Sequence, residues 1–214
     1  ENLRYVPEGK TATTDLTAID NGVWFPVDSA KKVLSDNAEL VKQKGLLYNT
    51  EAALGLAPGT LNKDNYASYE GKQGICPEGW HIPTLEEQIK LYGKSSLKDY
   101  FNAEAPYYDA EKTSGSIAKA NEDGWNIQNG GYVNVANASA KSGVVLNVMT
   151  YMVGSSAYTT EMGYKESSLL NADGSLKNIQ FFGTMIAKTF GGSISSAFAN
   201  YRSGMVVRCI RDAK

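Results

Sequence analysis

The two cysteines of this 214-residue chain, Cys76 and Cys209, constrain its fold more than any other feature. They lie 133 residues apart (209 minus 76), which excludes a local CxxC redox motif, and with a single histidine they are too few for a structural zinc site. A disulfide closing so long a loop would stabilise the fold by roughly 4 to 5 kcal/mol on the chain-entropy model. The sequence favours a disulfide formed in an oxidising compartment, with two separate buried thiols as the alternative.

Composition excludes some classes of protein. With 42% hydrophobic residues, the chain can bury one full core, and a single large domain is the default expectation. Lys and Arg total 21 against 23 Asp and Glu, so the net charge of -2 disfavours nucleic-acid partners. The longest apolar stretch, residues 144–153, is far shorter than the ~20 residues that cross a bilayer, so we expect no transmembrane segment.

Local patterns predict short helices and strands. Ser29 is positioned to cap a helix over residues 30–34, and a second helix is expected over residues 38–44, ending at Gly45. Further strands are expected over residues 144–153 and over residues 204–210.

The clearest local signal follows Pro83. Thr84 and Glu87 have the spacing of a capping box, in which each residue satisfies the other's backbone N–H at the start of a helix. Leu85, Ile89 and Tyr92 would share one face of that helix. We therefore expect a short amphipathic helix here.

Three blocks of sequence carry a family resemblance. They are GLLYN at residues 45–49 with Ala52-Ala53, ICPEGWHIPT at residues 75–84, and GMVVRCIRD at residues 204–212. Together they resemble the Fibrobacter succinogenes major paralogous domain, a family found mainly in secreted proteins and lipoproteins of Bacteroidetes and Fibrobacteres. The resemblance implies an α+β fold of the C-type lectin-like kind, as in the formylglycine-generating enzyme group, with mixed short strands, two or three short helices and long loops.

The resemblance also refines the domain organisation. Residues 45–214 would form the C-type lectin-like domain, and residues 1–44 an N-terminal extension packed on it. Both cysteines lie in family blocks, which implies that a Cys76–Cys209 disulfide joins the last strand to the start of the capped helix. No thiolate would then remain for the cysteine chemistry of formylglycine-generating enzymes.

Charged candidates for a site have structural interpretations. We expect His81 to be a structural residue, hydrogen-bonded beneath the helix start, because a general base needs a nucleophile or substrate proton within reach. Arg208 lies among apolar neighbours on a strand, and a buried guanidinium needs a carboxylate. Its predicted ion-pair partner is Glu86 or Glu87, with a ligand-binding arginine as the alternative. We predict no catalytic residue.

Binding residues are expected in the polar region before residue 143. Tyr107, Tyr108, Trp125 and Tyr132 combine flat apolar faces with polar edges and are the predicted ligand-binding residues, with core burial as the alternative for each. The sequences NEDG (121–124) and NADG (171–174) could hold calcium but lack EF-hand spacing. Turns are favoured for both, and we predict no cofactor or metal.

The sequence therefore predicts a non-enzymatic binding module, whose ligand is a glycan or a surface protein. It would be extracytoplasmic, either secreted or anchored at the outer-membrane surface as a lipoprotein. The alternative is a structural or adhesive subunit of a fimbria-like surface assembly, and an enzyme of unrecognised type comes third. The sequence leaves the oligomeric state open.

Overall fold

The structure is a computed structural model, and it describes residues 1–91, 114–116, 128–137, 139–147, 149–157, 169–174, 177–187 and 193–212. The helices are α1 (Ala38–Lys44), α2 (Thr50–Ala53) and α3 (Leu85–Leu91), with a 3₁₀ turn at Tyr66–Tyr69. The strands are β1 (Val23–Trp24), β2 (Val27–Asp28), β3 (Val33–Leu34), β4 (Leu47–Tyr48), β5 (Trp80–His81), β6 (Ser114–Ser116), β7 (Tyr132–Asn134), β8 (Val144–Leu146), β9 (Met149–Ala157), β10 (Gln180–Ala187), β11 (Ser193–Asn200), β12 (Met205–Val206) and β13 (Ile210–Arg211). This part of the chain is mostly sheet with few short helices and long loops, consistent with the predicted α+β class.

One sheet of seven strands organises the domain. Its order is β1-β4-β12-β9-β10-β11-β6. The long strands β9, β10 and β11 form an antiparallel meander, and β12 joins β9 in parallel through Val206 and Met152. Three two-stranded ribbons, β5–β13, β2–β3 and β7–β8, lie outside this sheet. The ribbon β5–β13 brings the end of the chain back to the start of α3.

Neighbouring residues of the central strands enter different parts of the core, because successive side chains of a strand point to opposite faces. Met205 joins the cluster that contains Tyr48 and Cys76, whereas Val206 joins the cluster around Trp24. A third cluster packs Leu85 of α3 with residues that include Phe181 and Ile179. The sheet therefore carries apolar packing on both faces.

Helix α1 begins and ends where the sequence predicts, and α3 begins where it predicts. Asn37 caps α1 by accepting a hydrogen bond from Leu40 N at 3.1 Å, and Gly45 ends the helix with a φ of 78°. At α3, Thr84 N donates to Glu87 Oε2 at 2.9 Å, and Glu87 N donates to Thr84 Oγ1 at 3.2 Å. Both bonds of the predicted capping box are present.

The helix predicted over residues 30–34 is wrong. Asp28 Oδ1 accepts hydrogen bonds from Ala30 N and Lys31 N, which folds the segment into a turn. Lys32 then takes a φ of 59°, which a helix does not allow, and β-branched Val33 pairs with Asp28.

Two predicted strands are each divided. Residues 144–153 belong to two strands, β8, which ends at Leu146, and β9, which begins at Met149. Residues 204–210 contain the strand β12 and the first residue of β13. The buried Val207 and the second cysteine, Cys209, lie between these two strands. The interruption lets the chain leave the main sheet and reach β5.

The first 44 residues share backbone pairing with the rest of the chain. Val23 and Trp24 of β1 pair with Tyr48 and Leu47 of β4, at one edge of the main sheet. The division of the chain at residue 45 stays a prediction.

None of the helices in the described ranges is long and apolar enough to cross a bilayer.

Candidate functional site

The disulfide predicted from the sequence is present. Cys76 and Cys209 are bonded, with their Cα atoms 5.8 Å apart, and the Cys76 side chain is buried. The bond connects the loop before β5 to the segment between β12 and β13. Both thiols of the chain are thereby removed from nucleophilic or metal-binding chemistry.

An open groove of about 960 Å³ lies beside this disulfide. Three parts of the chain supply most of its lining, with one wall from residues 3–10 and the rest from residues 55–58 and from residues 74–77, which include Cys76. Asp20, Asn21 and Ala52 complete the lining. The groove is therefore built mainly from irregular segments of the chain.

Backbone contacts fix the position of the groove. Ile75 N donates to Ala53 O at 2.9 Å, and Gly74 approaches so closely that a Cβ there would lie 2.3 Å from Ala53 O. In the same helix as Ala53, buried Glu51 accepts hydrogen bonds from Gly59 N at 3.1 Å and Leu61 N at 2.9 Å. The carboxylate of Glu51 thus anchors the loop that forms one wall.

The lining of the groove combines an aromatic ring with charged groups. Tyr5 is 53% exposed, although its carbonyl is held by the hydroxyl of Tyr48 at 2.7 Å. Lys10 Nζ donates to the carbonyl of Asp20 at 3.1 Å. Glu8 is exposed and makes no hydrogen bond or ion pair with any residue in the described ranges. A flat apolar face, a carboxylate and an ammonium group are therefore all accessible in one cleft.

A second cluster of polar side chains lies at the start of α3. His81 Nε2 is 2.8 and 2.9 Å from the two carboxylate oxygens of Glu87, and His81 Nδ1 is 2.6 Å from Asp212 Oδ1. The His81 side chain is 15% exposed. This confirms the expected hydrogen bonding of His81 beneath the helix start.

The pKa values of this cluster follow from its contacts. Burial favours the neutral imidazole, but the hydrogen bonds that the ring donates to Asp212 and Glu87, together with the charges of these two carboxylates, outweigh burial and raise the pKa of His81 above its ordinary value. For Glu87, burial favours the neutral acid, but the bond from Thr84 N and the bonds to His81 and the Thr84 hydroxyl lower the pKa of the carboxyl group. The histidine and the carboxylate therefore favour each other's charged forms.

This arrangement is suited to holding elements together. In the charged form that these contacts favour, both ring nitrogens of His81 donate to carboxylates, and neither has a lone pair left for a metal ion or for proton abstraction. Glu87 meanwhile caps α3 through Thr84. The cluster of His81, Glu87 and Asp212, called here the histidine clasp, joins α3, β5 and the residue after β13.

The predicted ion pair of Arg208 with Glu86 or Glu87 is not formed. The carboxylate of Glu87 is bound to His81 instead, and Glu86 is exposed on α3. Burial lowers the pKa of Arg208, and the acidic group that opposes this lowering is Glu1. The prediction failed because it considered only the acids of the capped helix, whereas the start of the chain approaches Val207.

Of the four predicted ligand-binding aromatics, the structure describes only Tyr132. Its side chain is 5% exposed, its ring centroid lies 4.4 Å from that of Tyr151, and burial raises the pKa of Tyr132 to about 12. Core burial, the alternative, therefore holds for Tyr132, which offers no surface to a ligand. Tyr107, Tyr108 and Trp125 lie outside the described residues.

The two calcium candidates have different outcomes. Gly174 N donates to Asn171 O at 2.9 Å, which makes residues 171–174 the predicted turn, whereas residues 121–124 lie outside the described ranges. Within those ranges, no group of three or more His, Cys, Asp or Glu residues is placed to hold a metal ion.

These features define a disulfide-linked domain of mostly β structure with an open groove beside the disulfide. The model of the Fibrobacter succinogenes major domain family matches residues 1–211, and the chain belongs to this family. The match includes the first 44 residues. Comparison with curated proteins and with solved structures found no match in either.

Proposed function

We propose that this domain is a non-enzymatic binding module of the cell surface or extracellular space, and that its ligand, a glycan or a protein, binds in the groove beside the disulfide. The observation that carries the proposal is the groove itself, at about 960 Å³ and open to solvent. Ligand sites are typically concave and largely preformed, with a few polar groups that fix orientation. The groove has each of these properties.

The chemistry of the groove favours a glycan over a protein. Sugar rings stack on aromatic faces and exchange hydrogen bonds with charged and amide groups, and Tyr5, Glu8 and Lys10 supply both kinds of contact. A protein partner of ordinary size would need roughly 800 Å² of complementary surface on this side, which a single exposed tyrosine does little to provide.

Three further elements belong to the same proposal. The scaffold is C-type lectin-like, supported by the resemblance of the cysteine blocks and by the short strands and long loops. The compartment is extracytoplasmic, by secretion or by a lipid anchor at the outer membrane of a Bacteroidetes-type cell, supported by the disulfide. The module has no catalytic role, supported by the histidine clasp, in which the one histidine is fully engaged.

A glycan array, probed with the full chain with and without calcium, tests the proposal. The expected result is calcium-independent binding to a defined set of glycans. Tyr5→Ala should lower the signal at least about fivefold, because stacking on one aromatic ring contributes on the order of 1 kcal/mol or more. Tyr5→Phe keeps the ring and should retain most of the binding.

Val144→Ala provides a control, since Val144 is exposed and does not line the groove. Binding that is unchanged in Tyr5→Ala would place the ligand elsewhere. An array without any signal in either condition would instead favour the second candidate function, a structural or adhesive subunit of a fimbria-like surface assembly. That candidate is favoured by the position of the first residues of the chain, which lie in the main sheet.

A further inference from the structure

Residues 1–6, called here the N-terminal segment, fill a gap in the main sheet. Strands β4 and β12 pair for two residues and then separate. Leu3 lies where they separate: Leu3 N donates to Val207 O at 2.8 Å, and Leu46 N donates to Leu3 O at 2.9 Å. One residue of the segment is therefore hydrogen-bonded to the chain on both sides of the gap.

Two side-chain contacts extend this docking. The amide of Asn2 donates to Lys44 O at 2.7 Å, and the hydroxyl of Tyr48 donates to Tyr5 O at 2.7 Å. Asn2 is buried, and the Leu3 side chain packs on the core cluster that contains Cys76. The gap is thus a slot with its own hydrogen-bonding groups and an apolar floor.

Gly45 shapes one side of the slot. A Cβ at this position would lie 2.6 Å from Asn2 Cβ and 2.8 Å from Leu3 O, and Gly45 also has a φ of 78°. Only a glycine leaves room for the segment here. On the other side, the Cys76–Cys209 disulfide holds the chain just beyond Val207, so the wall of the slot is fixed by a covalent bond.

The segment itself is only partly covered. Tyr5 and Val6 are 53% and 38% exposed, and they are two consecutive members of a set of five large exposed hydrophobic residues in the described ranges. The chain then turns over residues 7–10, where Gly9 has a φ of 72° and Lys10 N donates to Pro7 O at 3.0 Å. A single turn therefore connects the segment to the rest of the domain.

We propose that the slot is an interaction surface for a second copy of this chain, which inserts its own N-terminal segment while accepting the first copy's segment in return. The occupant is a second copy because the slot fits this segment already, and the same four hydrogen bonds form within a chain or between two chains. Exchange of identical elements is a route to dimers that requires no new contact surface. The turn at residues 7–10 is the hinge.

The exposed residues support the same partner. A reciprocal exchange brings the two hinges side by side, so Tyr5 and Val6 of each copy gain a neighbouring apolar surface to cover them. The segment and its hinge also line the glycan groove, but the exchange rests on the hydrogen bonds of the slot and not on any ligand. Loss of glycan binding therefore leaves it standing, and loss of dimerisation leaves the glycan proposal standing.

Shortening the hinge tests the exchange. Deleting Glu8 and Gly9 from the full chain removes half of the turn, so the segment no longer reaches its own slot, although it still reaches that of a partner. The expected result in sedimentation velocity is at least about a tenfold increase in the dimer fraction over the unmodified chain at equal concentration. A deletion variant that stays monomeric up to millimolar concentration would overturn the proposal.

A cross-linking experiment identifies the contact. Photo-leucine replaces Leu3 in the deletion variant, and ¹⁴N and ¹⁵N preparations are mixed before irradiation. Exchange predicts cross-links of mixed isotopic mass between position 3 of one copy and residues 44–46 or Val207 of the other. If a dimer forms but yields only cross-links to other regions, it uses another surface, and the proposal is wrong.

Two glycine variants in the deletion background serve as a matched pair. Gly45→Ala closes the slot and should abolish the dimer. Gly59→Ala introduces a side chain at a similar φ of 77° with no atom within 4 Å, and should preserve it. Leu3→Asp places a charge on the apolar floor and should also abolish the dimer. It takes the place of Gly45→Ala if that variant does not fold. Equal dimer fractions in all of these variants would contradict the proposal.

Discussion

His81 and Asp212 are 131 residues apart in sequence, yet a hydrogen bond of 2.6 Å joins His81 Nδ1 to Asp212 Oδ1. The Cys76–Cys209 disulfide explains this proximity, because Asp212 follows Cys209 by three residues and His81 follows Cys76 by five. Pairing of Ile210 with His81 in the β5–β13 ribbon then fixes the register. The disulfide and the histidine clasp therefore act on the same junction between the last strand and α3.

The histidine clasp should make stability depend on pH. The pKa of His81 is raised in the folded protein, so its contribution is complete below its ordinary pKa of 6.5 and is lost as the pH rises through the folded value. The pKa of Glu87 is lowered, so its contribution is complete above 4.5 and is lost as the pH falls through the folded value. Both contributions are complete between pH 4.5 and 6.5.

Urea unfolding of the native chain and of His81→Gln measures this effect. We expect the difference in free energy of unfolding to be largest near pH ~5.5 and smaller near pH ~8.5, with a size of about 1 kcal/mol because the carboxylates remain in contact with solvent. A difference that is constant across this range would show that His81 contributes by packing alone.

The cap of α3 can be separated from the general effect of an acid in the first turn of a helix. Glu87→Gln weakens the bonds to Thr84 and removes the charge beside His81, and we expect a loss of about 1 to 2 kcal/mol in the free energy of unfolding. Glu39→Gln, at an exposed position in the first turn of α1, should cost less than about 0.5 kcal/mol. Equal losses in the two variants would mean that the helix dipole, and not the clasp, accounts for the effect.

Much of the fold is predictable where local chemistry decides it. The capping box of Thr84 and Glu87 specifies the start of α3, and Gly45 specifies the end of α1. The helix expected over residues 30–34 was wrong because Asp28 competes for the same N–H groups and folds them into a turn. Propensity alone does not include that competition.

The candidate sites were harder to predict because they depend on contacts distant in sequence. Tyr5 and Glu8 belong to a groove whose other wall lies about 50 residues further on. The one available signal was an aromatic residue close to a Pro-Glu-Gly turn. The proximity of Asp212 to His81 could have been inferred from the sequence, since a Cys76–Cys209 bond brings these two residues together. Arg208 was assigned to the wrong acids because the approach of the chain's first residues to Val207 leaves no local pattern.

Removing the disulfide should destabilise the domain without a change of charge. Cys76→Ser together with Cys209→Ser is expected to lower the free energy of unfolding by about 2 to 5 kcal/mol, because the unfolded chain gains the freedom of a long open loop. Chemical denaturation of the native chain with and without a reductant provides the matched comparison. Alkylation of either cysteine in the unreduced, unfolded protein would show that the bond does not form in solution.

Two neighbouring glycines in the lining of the groove, Gly55 and Gly74, should respond differently to the same substitution. A Cβ at Gly74 would lie 2.3 Å from Ala53 O, whereas at Gly55 the nearest atom, the carbonyl carbon of Gly74, is 4.0 Å away. Both residues have a positive φ, 56° and 72°, so alanine adds backbone strain of about 1 to 2 kcal/mol at either position.

The clash is therefore the difference between the two variants. Gly74→Ala must displace the backbone that carries the hydrogen bond from Ile75 N to Ala53 O, and we expect it to cost at least about 2 kcal/mol more than Gly55→Ala in urea unfolding. Hydrogen exchange of the Ile75 amide locates the cause, since it should accelerate only in Gly74→Ala. Similar losses in both variants, with that amide still protected, would mean that residues 74–77 are free to shift and that the groove is less rigidly formed than these contacts indicate.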